Sequence, residues 1–494
     1  MERQGDEQVC PACRTTRLSR YNPNPLCGVC LANVRDGAGI VPVWLWDSGP
    51  LRQALARADM AAVLAILRAA AGMSQLEFGQ LLGWSQSVVT KIERRKRDTF
   101  HDVREILRVA DLLEVPRQAL LPLILGRPDI ELESDEDAAS WGDAVQPGRE
   151  LDRRQFAVMA SGLALGAVLP APKRVDRGHV RYLRACLEQL QDQDRIIGGA
   201  SLRAQALRLF GRARAMLDES DYTEQVGREL LVVTADLGVV AAWLAYDSGD
   251  QATARALYGE AELMAGSAAD NELLVHVYAN MAQQATHLAR ITERRGRARE
   301  ALRFADRAAD AARHLPSPAL HALIALRQAG AHAQLGDAVA FRASIGQARR
   351  EIDRGQHETD QNWTGFVTHS EITAYEAMGA FQLGRPDTAA GLYQMVLEDC
   401  RRSPRDQVYF RARPAATLCA AGDRQGAVTE GLAVVGDLGS KLTSVRVLNE
   451  LRPVRQAAGA SAEEFCERFD AAVRILAPPS TGRAGHVPVG GSVT

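Results

Sequence analysis

Residues 74 to 93, Ser-Gln-Leu-Glu-Phe-Gly-Gln-Leu-Leu-Gly-Trp-Ser-Gln-Ser-Val-Val-Thr-Lys-Ile-Glu, hold two short amphipathic patterns separated by a turn. Leu76, Phe78, Leu81 and Leu82 give the first a buried side, and Val88, Val89 and Ile92 do the same for the second. Gly83 places the turn, and Ser85 stands where a hydroxyl can cap the second helix. Gln86, Ser87 and Thr90 are left on the outer face. A helix held rigidly from behind, with small polar side chains and free N-terminal NH groups in front, can approach phosphates and base edges closely. The Gln86 amide carries both a donor and an acceptor, which matches adenine N6 and N7 in a major groove. Lys91, Arg94, Arg95, Lys96 and Arg97 follow directly. Alone, such a run reads as solvated surface. At the exit of this helix it falls beside a duplex backbone and predicts salt-dependent binding.

The flanks supply more helix. Residues 61–71 are an apolar helix in front. Val103, Ile106, Leu107, Val109, Leu112 and Leu113 follow behind, and Leu120, Leu121 and Leu125 complete a five-helix core. On these residues the segment resembles the XRE family of lambda-repressor-like helix-turn-helix regulators. Ser74, Gln75, Gly79, Gly83, Ser85 and Glu93 hold the family's fixed places. The departures are Gly79 where alanine is usual and Arg94-Arg95 where the exit is often glycine-rich. The resemblance implies a mainly α-helical DNA-binding domain over residues 46–126. It puts Gln75 at the phosphate-facing start of the first motif helix, and Gln86, Ser87 and Thr90 against bases or neighbouring phosphates. The candidate DNA-binding set is Gln75, Ser85, Gln86, Ser87, Thr90, Lys91, Arg94, Arg95, Lys96 and Arg97.

In front of this domain, residues 1–45 hold two Cys-x2-Cys pairs, Cys10 with Cys13 and Cys27 with Cys30. Two knuckles presenting two sulfurs each suit tetrahedral Zn2+, and four thiolates leave no open position for a catalytic water. An iron-sulfur cluster is the alternative reading of the same spacing. Arg14, Arg17 and Arg20 are either phosphate contacts or ordinary solvated charge. The remaining cysteines, Cys186, Cys400, Cys419 and Cys466, are scattered through apolar helical sequence and read as reduced core thiols. Val43-Trp44-Leu45-Trp46 is expected to attach the cysteine module to the helices.

The 494 residues carry a net charge of -2 that hides local separation. Residues 1–126 contain 16 Lys or Arg against 13 Asp or Glu, and residues 127–150 contain 2 against 8. DNA affinity is therefore a local surface property, and the acidic stretch reads as part of a linker and docking segment over 127–176. Arg153-Arg154-Gln155-Phe156 and the apolar run after it resemble a twin-arginine signal, but an internal position favours a docking helix. No signal peptide and no stretch long enough to span a bilayer is read, which leads to an expectation of no membrane partner and a cytoplasmic, nucleoid-associated protein.

Residues 177–477 are rich in Ala, Leu, Arg, Glu and Gln, with proline sparse, and predict successive helices. Turns are expected at Gly249-Asp250, Gly296-Arg297, Gly336-Asp337, Gly384-Arg385 and Gly422-Asp423, separated by 47, 40, 48 and 38 residues. This resembles a degenerate tetratricopeptide-repeat array, an α-helical solenoid whose concave face takes a peptide, protein or small-molecule effector. Trp243, Tyr246, Tyr278, Trp363, Tyr375 and Tyr393 are candidates for that face or for the repeat core. The histidines form no metal motif, and no catalytic constellation is found. Residues 478–494 read as a flexible tail.

The order of parts resembles actinobacterial XRE regulators with C-terminal tetratricopeptide-like repeats. The expectation is a non-enzymatic regulator of development or specialised metabolism that binds a double-stranded DNA operator as a homodimer. The alternative is a repeat scaffold without sequence-selective DNA binding.

Overall fold

The computed structural model describes residues 9–10, 15–17, 27, 29–30, 41–96, 108–110, 112–113, 115, 119, 171–399, 402–439, 441–459 and 462–476. Cys13, Arg14, Arg20, Arg97, Cys400, the apolar positions 103–107 and 120–125, the acidic and twin-arginine segments and the 478–494 tail lie outside them. No strand forms among the described residues, where pairing is confined to isolated bridges such as Val9 with Arg17.

Among the described residues, four whole helices build the N-terminal cluster: α1 (Gly49–Ala56), α2 (Met60–Ala70), α3 (Gln75–Leu82) and α4 (Gln86–Glu93). Each begins or ends for a local reason. Asp59 caps α2 by accepting from Ala62 N at 3.2 Å. Ser74 and Glu77 form a reciprocal capping box at the start of α3, and Gly83 ends it in the left-handed region at φ 70°. Ser85 occupies the N-cap of α4, but its hydroxyl lies 3.0 Å from Ser87 Oγ and makes no capping bond. Gly79 explains one departure from the family pattern, because a Cβ there would stand 2.7 Å from the Trp84 carbonyl oxygen. Phe78, Leu82, Val89, Ile92, Val109 and Leu113 are buried together as expected, whereas Leu112 is 37% exposed and leaves the proposed core.

The repeat domain runs through α5 (Arg177–Ile197), α6 (Gly199–Glu219), α7 (Glu224–Asp247), α8 (Gln251–Ser267), α9 (Asn271–Thr292), α10 (Arg295–Ala312), α11 (Pro318–Leu335) and α12 (Ala338–Ile352). It continues with α13 (His369–Gln382), α14 (Pro386–Leu397), α15 (Pro404–Ala420), α16 (Arg424–Val435), α17 (Val445–Ala457) and α18 (Glu463–Leu476). Gly249, Gly336, Gly384 and Gly422 all take positive φ at turns between paired helices. After three of them an aspartate caps the next helix, Asp250 on Thr253 N, Asp337 on Ala340 N and Asp423 on Gly426 N. Gly296-Arg297 is a correction: it lies inside α10, and the turn is made by Glu293 at φ 53°.

The odd-numbered helices from α5 to α17 form the inner layer. The last of them returns to the first two: Thr443 N donates to Ile197 O of α5 at 2.8 Å, and Arg446 Nε to Asp247 at the end of α7 at 3.0 Å. The expectation that no stretch could span a bilayer also needs correcting. Helix α7 is long and apolar enough by length and composition, but 72% of its apolar stretch is buried inside the repeat packing.

The two parts share one apolar core. Trp44 stacks on Tyr182 of α5 with centroids 6.4 Å apart, and Gly49 N donates to Glu188 at 3.0 Å. The tryptophan strip therefore joins the α1–α4 cluster to the first repeat helix, a partner the sequence did not suggest; most of the cysteine module it was expected to hold lies outside the described residues. Flat aromatic area was correctly read as adhesive, but its partner is remote in sequence. At the crossing itself Gly178 lies against α2, where a Cβ would sit 2.5 Å from Ala65 O.

Candidate functional site

Helix α4 presents Ser85, Gln86, Ser87 and Lys91 to solvent while Val89 and Ile92 anchor its back. Arg94, Arg95 and Lys96 are exposed at its exit. Arg95 takes φ 57°, and Lys96 N donates to Lys91 O at 2.8 Å. This is the left-handed helix ending that glycine commonly supplies, here made by arginine. Its guanidinium pairs with Asp59 at the start of α2.

Gln75 and Thr90 are half-buried and engaged inside the motif. Thr90 Oγ1 donates to Gln75 Oε1 at 2.8 Å and to Gln86 O at 2.9 Å, while Gln75 Nε2 donates to Glu93. Glu93 accepts from Arg68 Nε at 2.6 Å, and the same guanidinium reaches Asp176, the N-cap of α5. Arg68 is only 3% exposed. Burial alone would lower its pKa, but Asp176 and Glu93 outweigh this and raise it. For Asp176 burial acts upward, while His179 and Arg68 hold its carboxyl well below the usual carboxylate range. A continuous polar chain thus runs from the outer helix of the motif to the first repeat helix. Sequence reading missed it, although an arginine on the otherwise apolar α2 was its visible sign.

Three thiols, Cys10, Cys27 and Cys30, converge with their sulfurs within 4.8 Å of one another. A tetrahedral site with Zn–S near 2.3 Å has sulfur-sulfur edges of about 3.8 Å. Cys27 N also donates to Cys10 Sγ at 3.3 Å. The donor set fits a thiophilic metal ion.

The inner helices enclose a cavity of about 760 Å³. Of the aromatics named from sequence, Trp243, Tyr246, Trp363 and Tyr375 line it. Tyr393 is buried in the repeat core, and Tyr278 bonds Glu262 and Arg307 away from the cavity. The unexpected feature is arginine. Arg405 pairs with Asp194 and Asp406, Arg446 with Asp247, Arg402 with Glu371, and Arg290 and Arg413 with Glu450. Arg446 also lies 4.0 Å from the Tyr409 ring centroid. Burial, reinforced by Arg290, Arg446 and Arg413, drives His287 well below its ordinary pKa, so it is neutral. Arginine at the inward register of an amphipathic helix, as in Arg405, Tyr409 and Arg413, was the available signal.

A family described as a helix-turn-helix domain matches residues 59–122, which contain α2, α3 and α4. No curated protein matches the chain. Among solved structures, it is similar to a signal transduction ATPase with numerous domains (STAND) protein with a tetratricopeptide repeat sensor from Pyrococcus horikoshii. Identity is 10% and the TM-score 0.34, with 85% of this chain and 62% of that chain covered. The chain thus spans less than two thirds of that protein's length. Fold and site together define a helix-turn-helix cluster fused to an array of paired helices.

Proposed function

We infer that the protein is a sequence-specific DNA-binding transcription regulator whose repeat domain senses an effector. The observation that carries this reading is α4, a helix with an exposed polar face fixed from behind by apolar packing and a buried ion-pair network. Gln86 and Ser87 read bases, Lys91, Arg94, Lys96 and Arg97 meet phosphates, and Ser85 places the helix N-terminus near the backbone. Gln75 and Thr90 set the rotation of the reading face through their mutual bond, and Arg95 shapes its exit. One such helix covers a half-site, so two subunits act together as a homodimer on a symmetric operator. Zn2+ held by Cys10, Cys27, Cys30 and Cys13 supplies the folding energy that a segment with so few apolar residues lacks. In line with the sequence resemblance, the regulated genes belong to development or specialised metabolism.

The test is selection of fragmented genomic DNA by the full-length, metal-analysed protein, with sequencing at increasing salt. A recurring paired or palindromic site retained at high salt is expected. Recovery that is random in sequence and vanishes with salt would replace this reading with that of a protein-binding scaffold.

A further inference from the structure

Among the guanidinium groups lining the cavity, Arg327 on α11 stands apart. The others are each joined to a carboxylate. Arg327 is 5% exposed, yet its Nε donates to Ala279 O at 3.0 Å and its Nη1 to the Tyr375 hydroxyl, both neutral acceptors. It makes no ion pair among the described residues, and its third nitrogen has no partner there. Glu371, which its charge reaches, is already bonded to Arg402, and a buried cation without a directly bonded counter-charge favours an incoming anion.

The geometry points to an organic carboxylate as the ligand of this cavity, with Arg327 as its ion-pairing residue. One unpaired guanidinium calls for one negative charge. A phosphate dianion would bring a second into a space that Asp194, Glu371 and Asp406 also line. The planar fork of arginine takes both oxygens of a carboxylate, with the Tyr375 hydroxyl beside it. The cavity volume lies in the range that encloses a small organic molecule or a few peptide residues. Trp243 and Trp363 offer flat apolar walls, and Asn280 and Gln283 offer amides for polar groups on the ligand. Its carboxylate comes from a non-peptide organic acid or from the C-terminus of a short peptide.

The inference deepens the effector-sensing reading but is tested on the protein without DNA, so its failure is separate from failure of the DNA selection. Acetate is the minimal probe, titrated into full-length protein at constant ionic strength with tryptophan fluorescence as readout and inorganic phosphate as the control. A saturable millimolar response to acetate and none to phosphate is expected. It should weaken at least tenfold in Arg327→Gln and several-fold in Arg327→Lys, which keeps the charge and loses the fork and so serves if the Gln variant does not fold. Comparing 3-phenylpropionate with a tripeptide bearing a free C-terminus then identifies the source, and amidation of either abolishes its binding. No saturable acetate response in the wild type, or full-strength binding in a folded Arg327 variant, overturns the assignment.

Discussion

Replacing Asp247 with alanine tests whether the two ends of the repeat array are held together by a buried ion pair. Asp247 is fully buried and accepts from Arg446 Nε at 3.0 Å, Ser444 Oγ at 2.9 Å and Gly199 N at 3.0 Å. Removing it strands the Arg446 guanidinium, itself 4% exposed, in an interior position. Breaking one side of a buried pair costs about 3–5 kcal/mol. The two neutral donors left behind add roughly 1 kcal/mol each, partly offset by water entering from the cavity. A net loss of about 4–6 kcal/mol, at a urea dependence of about 3 kcal/mol per M, lowers the unfolding midpoint by roughly 1.3–2 M. Trp243 fluorescence suits the measurement, since its ring lies 5.1 Å from the Arg446 guanidinium carbon. The double variant Asp247→Leu with Arg446→Met removes both charges and should recover at least half of the loss. A midpoint in Asp247→Ala close to wild type, or a double variant no better than the single one, would refute the clasp.

Four further outcomes are expected. Gln86→Ala should weaken operator binding by about 1–3 kcal/mol while leaving scrambled DNA nearly unaffected, whereas Lys96→Ala should weaken both and shallow the salt dependence; parallel binding curves separate them. Chelation, or Cys27→Ser, should release one zinc per chain by metal analysis and unfold the cysteine module while the repeat helices stay intact by circular dichroism. Gly178→Val, which puts a Cβ against the Ala65 carbonyl, should destabilise the joint by roughly 1–3 kcal/mol and speed proteolytic release of the N-terminal cluster. Because the Asp176 carboxyl is held below its ordinary range, its contribution is present above about pH 4 and is lost as pH falls further toward the folded-state value. Asp194 and Glu371, raised by burial, act in the opposite sense. An acid titration of wild type against Asp176→Asn isolates the joint, and the variant should show the flatter profile.

What could be read from the chain follows the range of the forces involved. Helices α2 to α4 were legible because apolar spacing, Ser74 with Glu77, and Gly83 are all local signals. Three Gly-Asp turns were legible for the same reason, since a left-handed glycine followed by a capping aspartate is a local device. Gly296 misled because a helix tolerates an exposed glycine, while the true turn uses Glu293 in a conformation that its residue type does not advertise. The cavity was out of reach. Arginine is usually solvated, and only partners far along the chain, such as Asp194 for Arg405 and Asp247 for Arg446, make burial possible. The same holds for Arg68, whose two carboxylates come from α4 and from the cap of α5.

Helix α2 carries a consequence for how such a protein can be taken apart. Every residue from Ala62 to Ala70 is buried, with α4 on one side and α5 on the other. A fragment ending before α5 would keep the exposed face of α4 but bare a strip of alanine and leucine with Trp44 beside it, and would self-associate at the concentrations used to study it. Chimeras that transplant the N-terminal cluster onto another domain must therefore carry α5 along. By the same reasoning head and first repeat form a single heritable unit, and the seam open to exchange lies further down the array.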